Sequence, residues 1–230
     1  RIGFLELVPY GLILLLIVGL MMLEPHMSGT ILILAGAAAV LFAAGIKLYW
    51  FAGGGAALMG LVVLMMSGYQ STRILVWQDP WAYPRDGGYQ IIQSLYAIGS
   101  GGLLGLGLGK SRQKFLYLPE EHNDFIFAIV CEELGFVGAC LIIILFALLI
   151  WRGYTIALHA KDRFGMLIAV GITTQIGMQV MLNIAVVTNT IPNTGISLPM
   201  FSYGGTSLCM ILGELGILLA VSRQGIYEKE

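Results

Sequence analysis

Long apolar stretches separated by short polar turns set the plan of this chain. A helix needs about 20 apolar residues to cross the hydrocarbon of a bilayer, and only a helix or a closed barrel satisfies its backbone there. Six stretches meet that length: residues 5–23, 28–46, 48–67, 123–151, 164–188 and 205–221. Glu24-Pro25 stops the first, and Lys47 divides the second from the third. The long break at 68–122 reads differently. Residues 69–88 mix Trp77, Trp81 and Tyr83 with Pro80, Pro84 and charges, which suits a short structured segment at the headgroup level. Residues 90–98 fit an amphipathic or re-entrant helix presenting Gln90 and Gln93 toward a cavity. The pattern predicts an all-α integral membrane protein: a polytopic bundle of six transmembrane helices, one membrane domain over 1–230, with one large loop.

Composition excludes a soluble domain. Of 230 residues, 58% are hydrophobic and 11% charged, against roughly 25% charged in soluble proteins, and the mean hydropathy is +0.87. A net charge of −1 gives no general attraction for nucleic acid. Cys131, Cys140 and Cys209 sit in apolar stretches without metal-ligand spacing and read as small packing residues. The chain opens on Arg1, without Met or a signal-peptide pattern, and is expected to be part of a longer protein.

Basic residues orient the bundle. Arg1, Lys47, Arg152, Lys161, Arg163, Arg223 and Lys229 fall on one side, whereas the turns 24–27 and 189–203 carry none. Both chain ends are then cytoplasmic, and the 68–122 loop is extracytoplasmic. That loop holds Arg73, Arg85, Lys110, Arg112 and Lys114 on the disfavoured side. The cations fit a task such as holding an anionic headgroup, or belong to a loop long enough to escape the rule.

Candidate chemistry concentrates in residues 110–138. Pro119 ends what precedes it, and Asn123 is a good N-cap, which would place Asp124 in the first turn of the fourth helix. The helix dipole favours an ionised carboxylate there. From the residues alone, Asp124 is either a general base or a complement to the helix end. Glu132 and Glu133 lie about 12–14 Å further along the axis and must face protein, water or a cation. Adjacent residues differ by about 100°, so the two are not expected to share a direction. Gly135 and Gly138 would allow close helix contact just below. Glu214, in the last span, is a further intramembrane acid read as a structural polar contact.

Two irregular segments complete the reading. Residues 99–111 end in Gly109-Lys110-Ser111, but Leu104 stands where a phosphate loop needs glycine, so the run reads as a closely packed turn. Residues 189–207 contain Pro192, Gly195, Pro199 and Gly204-Gly205, which forbid a continuous helix and suit a buried or cavity-lining segment.

Several of these segments resemble the SEDS proteins of the FtsW, RodA and SpoVE type. Leu118-Pro119-Glu120, His122-x-Asp124-Phe125-Ile126-Phe127-Ala128 and Glu132-Glu133-Leu134-Gly135 are similar to the family's central signature. Pro192-x-x-Gly195 and Leu198-Pro199-x-x-Ser202-Tyr203-Gly204-Gly205-x-Ser207 follow in the family's order. The chain departs from the pattern at Glu24-Pro25-His26, Asn189, Asn193 and Thr206. The resemblance implies the last six of about ten spans and a peptidoglycan glycosyltransferase that polymerises lipid II for elongation, division or sporulation. It also implies a class B penicillin-binding transpeptidase as partner, in the bacterial cytoplasmic membrane. It makes Asp124 catalytic. Charge and side make Arg73, Lys110, Arg112 and Lys114 candidate substrate contacts, with Gln90, Gln93 and His122 added to them, and Glu132, Glu133, Ser202 and Glu214 are left as intramembrane polar or structural groups. No ligand cluster marks a metal, although a divalent Mg or Mn ion could share the pyrophosphate charge. A lipid II flippase and a non-catalytic scaffold for the transpeptidase remain as alternatives.

Overall fold

The computed structural model describes residues 4–23, 27–47, 49–50, 53, 68–114, 118–119 and 122–226. Among them the regular structure is helical: α1 (Phe4–Leu23), α2 (Met27–Ala43), α3 (Gly68–Gln78), α4 (Tyr89–Gly101), α5 (Ile126–Leu158), α6 (Arg163–Val187) and α7 (Gly205–Ile226), with one π turn at Pro84–Gly88. α5, α6 and α7 are long and apolar enough to cross a membrane, and α1 and α2 hold the shorter apolar stretches Val8–Met21 and Ser28–Ala43. This is a helical membrane protein. The third expected span, 48–67, lies almost wholly outside the described residues, as do Arg1, Glu24-Pro25, Glu120-Glu121 and Lys229. The 68–122 stretch is largely helical: α3, the π turn and α4 occupy most of its first half.

The chain divides into two compact units. One comprises Arg1–Met66, Gly153–Gln175 and Gly216–Glu230. Its core gathers Ile156, Ala157, Ala169 and Leu218. Within it Gly153 leaves room for Thr173, and Tyr154 Oη lies 2.9 Å from Thr174 Oγ1. The other comprises Ser67–Arg152 and Ile176–Leu215 and carries the candidate chemistry. Its core joins Ala97 and Leu118 to Phe125, Phe127 and Ala128 at the start of α5, and to Val186, Val187 and Leu198.

The long fourth apolar stretch is not one uninterrupted helix. At Gly135 the backbone of α5 turns to φ 69°, ψ −171°, a conformation closed to side-chain-bearing residues. A break inside an apolar stretch would strand backbone groups that lipid cannot satisfy. The glycine-rich run after α4 supplies the partners. Leu106 N–H donates to Glu132 O and Gly107 N–H to Glu133 O, each at 3.0 Å, while Phe136 N–H donates to Gly102 O (2.9 Å) and Val137 N–H to Leu103 O (3.2 Å). A Cβ on Gly101 would strike the Cys131 carbonyl, one on Gly105 the Glu133 carbonyl, and one on Gly135 the Gly105 amide. Gly135 therefore serves a loop-to-helix contact instead of the helix pairing expected of it. Gly138 faces its own helix, where a Cβ would meet Leu134.

Candidate active site

Asp124 lies in the turn that precedes α5, not in its first turn. The helix begins at Ile126, and residues 122–125 form a turn whose first helical-type bond is Ala128 N–H to Phe125 O at 3.0 Å. Asn123 is thus too early to act as the N-cap. The physical reason is that the turn's carbonyls are held by donors from elsewhere in the chain. Tyr203 N–H donates to His122 O at 2.7 Å. Ser202 Oγ–H donates to Asn123 O at 2.6 Å, and Asn183 Nδ2–H donates to Asp124 O at 2.8 Å. Three successive carbonyls are pinned, and Phe125 is fully buried beneath them. The Asp124 side chain, half-buried, points toward Gly195: a Cβ there would lie 3.3 Å from Asp124 Oδ2. Gly195 has φ +67°, so the conformation and the space both call for glycine.

The segment between α6 and α7 is irregular, as its composition predicts, and is tied down side chain by side chain. Asn183 also donates to Ile196 O at 2.6 Å, and Ser202 Oγ accepts Leu198 N–H at 2.7 Å. Arg73 Nη1 donates to Asn193 O at 2.9 Å, Asn193 Nδ2 to Gln90 Oε1 at 3.0 Å, and Gln90 Nε2 to Pro119 O at 3.2 Å. Trp77 Nε1 donates to Asn189 O at 3.0 Å. Arg73 and Gln90 thus join the wall that carries Asp124 and Gly195. Gln93 is half-buried on α4, and His122 is exposed, its carbonyl engaged by Tyr203.

Lys110, Arg112 and Lys114 belong to a second cluster. Glu132, 1% exposed, accepts from Ser111 Oγ, from Arg112 N–H at 3.0 Å, from Gln113 N–H at 3.3 Å and from Ser100 Oγ at 3.3 Å. Glu133 accepts Gly109 N–H at 2.9 Å, Ser111 N–H at 3.3 Å and Lys114 Nζ at 2.8 Å. The two acids, expected to face apart, serve one loop. That loop wraps the helix surface, and Ser111 meets Glu132 through its hydroxyl and Glu133 through its amide. Lys114 is committed to Glu133, while Lys110 and Arg112 are exposed. At 1.5 Å per residue, Glu132 and Glu133 lie about 9–11 Å along α5 from Ile126, so this cluster is a level removed from Asp124. Glu214 is half-buried on α7. Among the described residues no three His, Cys, Asp or Glu side chains gather as a metal site.

Sequence reasoning missed Asn183 and Ser111. A fully buried amide in a 25-residue apolar helix is itself a signal.

Set beside known proteins, residues 3–227 match the family described as cell cycle protein, FtsW/RodA/SpoVE. The chain belongs to this SEDS family. It is 51% identical over 210 residues to stage V sporulation protein E of Bacillus subtilis (strain 168), covering 90% of this chain and 57% of that SEDS protein. It is 44% identical over 216 residues to a probable peptidoglycan glycosyltransferase FtsW of Geobacter sp. (strain M18), covering 93% and 59%. Among solved structures, a chain from a peptidoglycan synthase complex, described as coordinating polymerization and crosslinking, superposes with a TM-score of 0.77 at 33% identity, covering 96% of this chain and 63% of that one. The chain therefore spans a little under three fifths of these two curated SEDS relatives.

Proposed function

We propose that this chain carries the catalytic aspartate of a peptidoglycan glycosyltransferase that polymerises lipid II at the outer face of the bacterial cytoplasmic membrane. The observation that carries the reading is the Asp124 carboxylate, set against a glycine by a turn whose three carbonyls are externally pinned. Asp124 is the general base. It takes the proton of the acceptor sugar's 4-hydroxyl as that oxygen bonds to the donor's anomeric carbon, and the bond from that carbon to undecaprenyl pyrophosphate breaks. Arg73 and Gln90 line the same wall, each already bonded to protein, and would meet sugar or phosphate with their remaining donors. Lys110 and Arg112 are exposed but belong to the cluster removed from Asp124, so they are assigned no part in the transfer step. Among the described residues no three His, Cys, Asp or Glu side chains gather, so a Mg or Mn ion would be held chiefly by the substrate's pyrophosphate oxygens and water, and no step is derived through it. The similarity to a chain of a complex that couples polymerization with crosslinking supports a class B penicillin-binding transpeptidase as the partner.

The test is lipid II polymerisation in detergent by the full-length protein with its transpeptidase. Asp124→Asn keeps shape and hydrogen-bonding capacity but loses the base, and activity is expected to fall about 10²–10⁴-fold, the range of general acid–base catalysis. Near-normal glycan synthesis by a well-folded Asp124→Asn protein would sink the assignment and leave a flippase or a scaffold. Polymerisation by the parent protein without any membrane to cross argues against a pure flippase.

A further inference from the structure

Asn183 sits in the middle of α6's second half with 0% exposure, yet its side chain is only half used. Its Nδ2 group donates to two carbonyls, Asp124 O at 2.8 Å and Ile196 O at 2.6 Å. Those acceptors fix which end of the amide faces them, since the reverse orientation would set oxygen against two oxygens. Its Oδ1 is then buried without a hydrogen-bond partner among the described residues. A buried acceptor with no donor is a cost to stability, and an apolar side chain of the same size would avoid it only by taking the donor from the Asp124 and Ile196 carbonyls. What the amide does achieve is to tie the turn carrying Asp124 to the strip containing Ile196, next to Gly195. The first bears the Asp124 carboxylate and the second brings Gly195 up against it.

We propose that Asn183 is a positioning residue for the transfer reaction: one amide holds the Asp124 turn and the Gly195 strip at a fixed separation, and so sets where the carboxylate meets the acceptor hydroxyl. The inference rests on Asp124 as the base. Asn183 itself does not touch the reacting atoms, because it is sealed beneath the turn. A displacement of about 1 Å in a catalytic group can cost 10²-fold in rate, and a clamp to two backbone carbonyls controls displacement on that scale.

The experiment uses the full-length protein with its transpeptidase. Asn183→Leu keeps the volume, removes both donors and also removes the orphaned acceptor. Asn183→Ser is a smaller second variant whose hydroxyl cannot span both carbonyls. The expected result for Asn183→Leu is a folded protein whose thermal midpoint in detergent is lowered by the loss of the donor to two carbonyls, with kcat for lipid II polymerisation down roughly 10²-fold and KM within about threefold. Asn183→Ser should lose kcat in the same way. Three results would overturn the proposal: kcat within about threefold of the parent in a folded variant, a rise in KM with kcat unchanged, or failure of both variants to fold, which would make Asn183 a stability residue. Full activity of Asp124→Asn would remove the reading beneath it. An inactive Asp124→Asn beside a fully active Asn183→Leu would remove this inference alone.

Discussion

A carboxylate at the edge of a membrane helix can be a cap or a base, and the proposed function gives Asp124 the second role. Its backbone carbonyl, not its side chain, carries the structural bond to Asn183. Asp124→Glu is therefore an informative change: it keeps charge but extends the side chain by one methylene toward Gly195, and polymerisation should fall sharply while the thermal midpoint in detergent holds. Retention of full activity by the glutamate variant would mean that position is not critical. Gly195→Ala approaches the same contact from the other side. It forces a side chain to φ +67° and puts a Cβ 3.3 Å from Asp124 Oδ2. The backbone cost alone is about 1–2 kcal/mol, so both stability and polymerisation should drop, and a variant matching the parent in both assays would show that the carboxylate does not need that space. Of this residue-scale picture, the sequence made Asp124 legible as a charge at a helix entrance. It could not reveal the pins, because Asn183, Ser202 and Tyr203 lie 59 to about 80 residues away and acquire meaning only when the chain folds.

At the scale of elements, apolar length located α1, α2 and α6 and the starts of α5 and α7 to within about three residues, because the bilayer's thickness imposes that length, while α5 and α7 run on past the expected ends at 151 and 221 to Leu158 and Ile226. The interruption at Gly135 was not legible. Its neighbours Phe136, Val137, Ala139 and Cys140 read as uninterrupted span, and the break exists because a loop from another part of the sequence offers replacement hydrogen bonds. The glycines at 101 and 105 were readable as a site of close backbone approach, though not their partner. The loop's two anchors should differ in weight. Glu132 is buried and accepts from four donors, so Glu132→Gln turns an NH₂ group toward N–H and O–H groups and strips charge-assisted bonds worth about 1.5–3 kcal/mol each. Glu133→Gln loses an ion pair that water partly reaches. Thermal unfolding of the two variants in detergent should rank Glu132→Gln as clearly the less stable; the reverse order would mean that the Lys114 pair, not the buried carboxylate, holds the loop.

For the whole molecule, the distribution of basic residues makes a claim that labelling can check. That claim puts Lys47, Lys161 and Arg223 on the cytoplasmic side and Asp79 and Lys114 on the outer side, where the proposed reaction would bring lipid II to Asp124. With Cys131, Cys140 and Cys209 replaced, cysteine introduced at Asp79 should react with an impermeant thiol reagent in intact cells, and cysteine at Lys161 should react only after lysis. Labelling at Lys161 with silence at Asp79 would invert the protein and separate Asp124 from its proposed substrate. Orientation is an expectation that charge distribution can supply without knowledge of packing, because it is a property of loops, and the labelling decides it.

The pinned turn also carries a consequence in time. Ribosomes deliver the chain from the N-terminus at about 5–20 residues per second, and Ser202 is made 79 residues after the asparagine whose carbonyl it holds. α5 is complete at Leu158, and for the 44 residues from there to Ser202, about 2–9 s of synthesis at that rate, it can occupy the bilayer while the Asp124 turn still lacks Ser202 and Tyr203. The carboxylate reaches its final place only after the segment leading into α7 has emerged, so a nascent chain stalled before that point holds the aspartate without the geometry that would let it work.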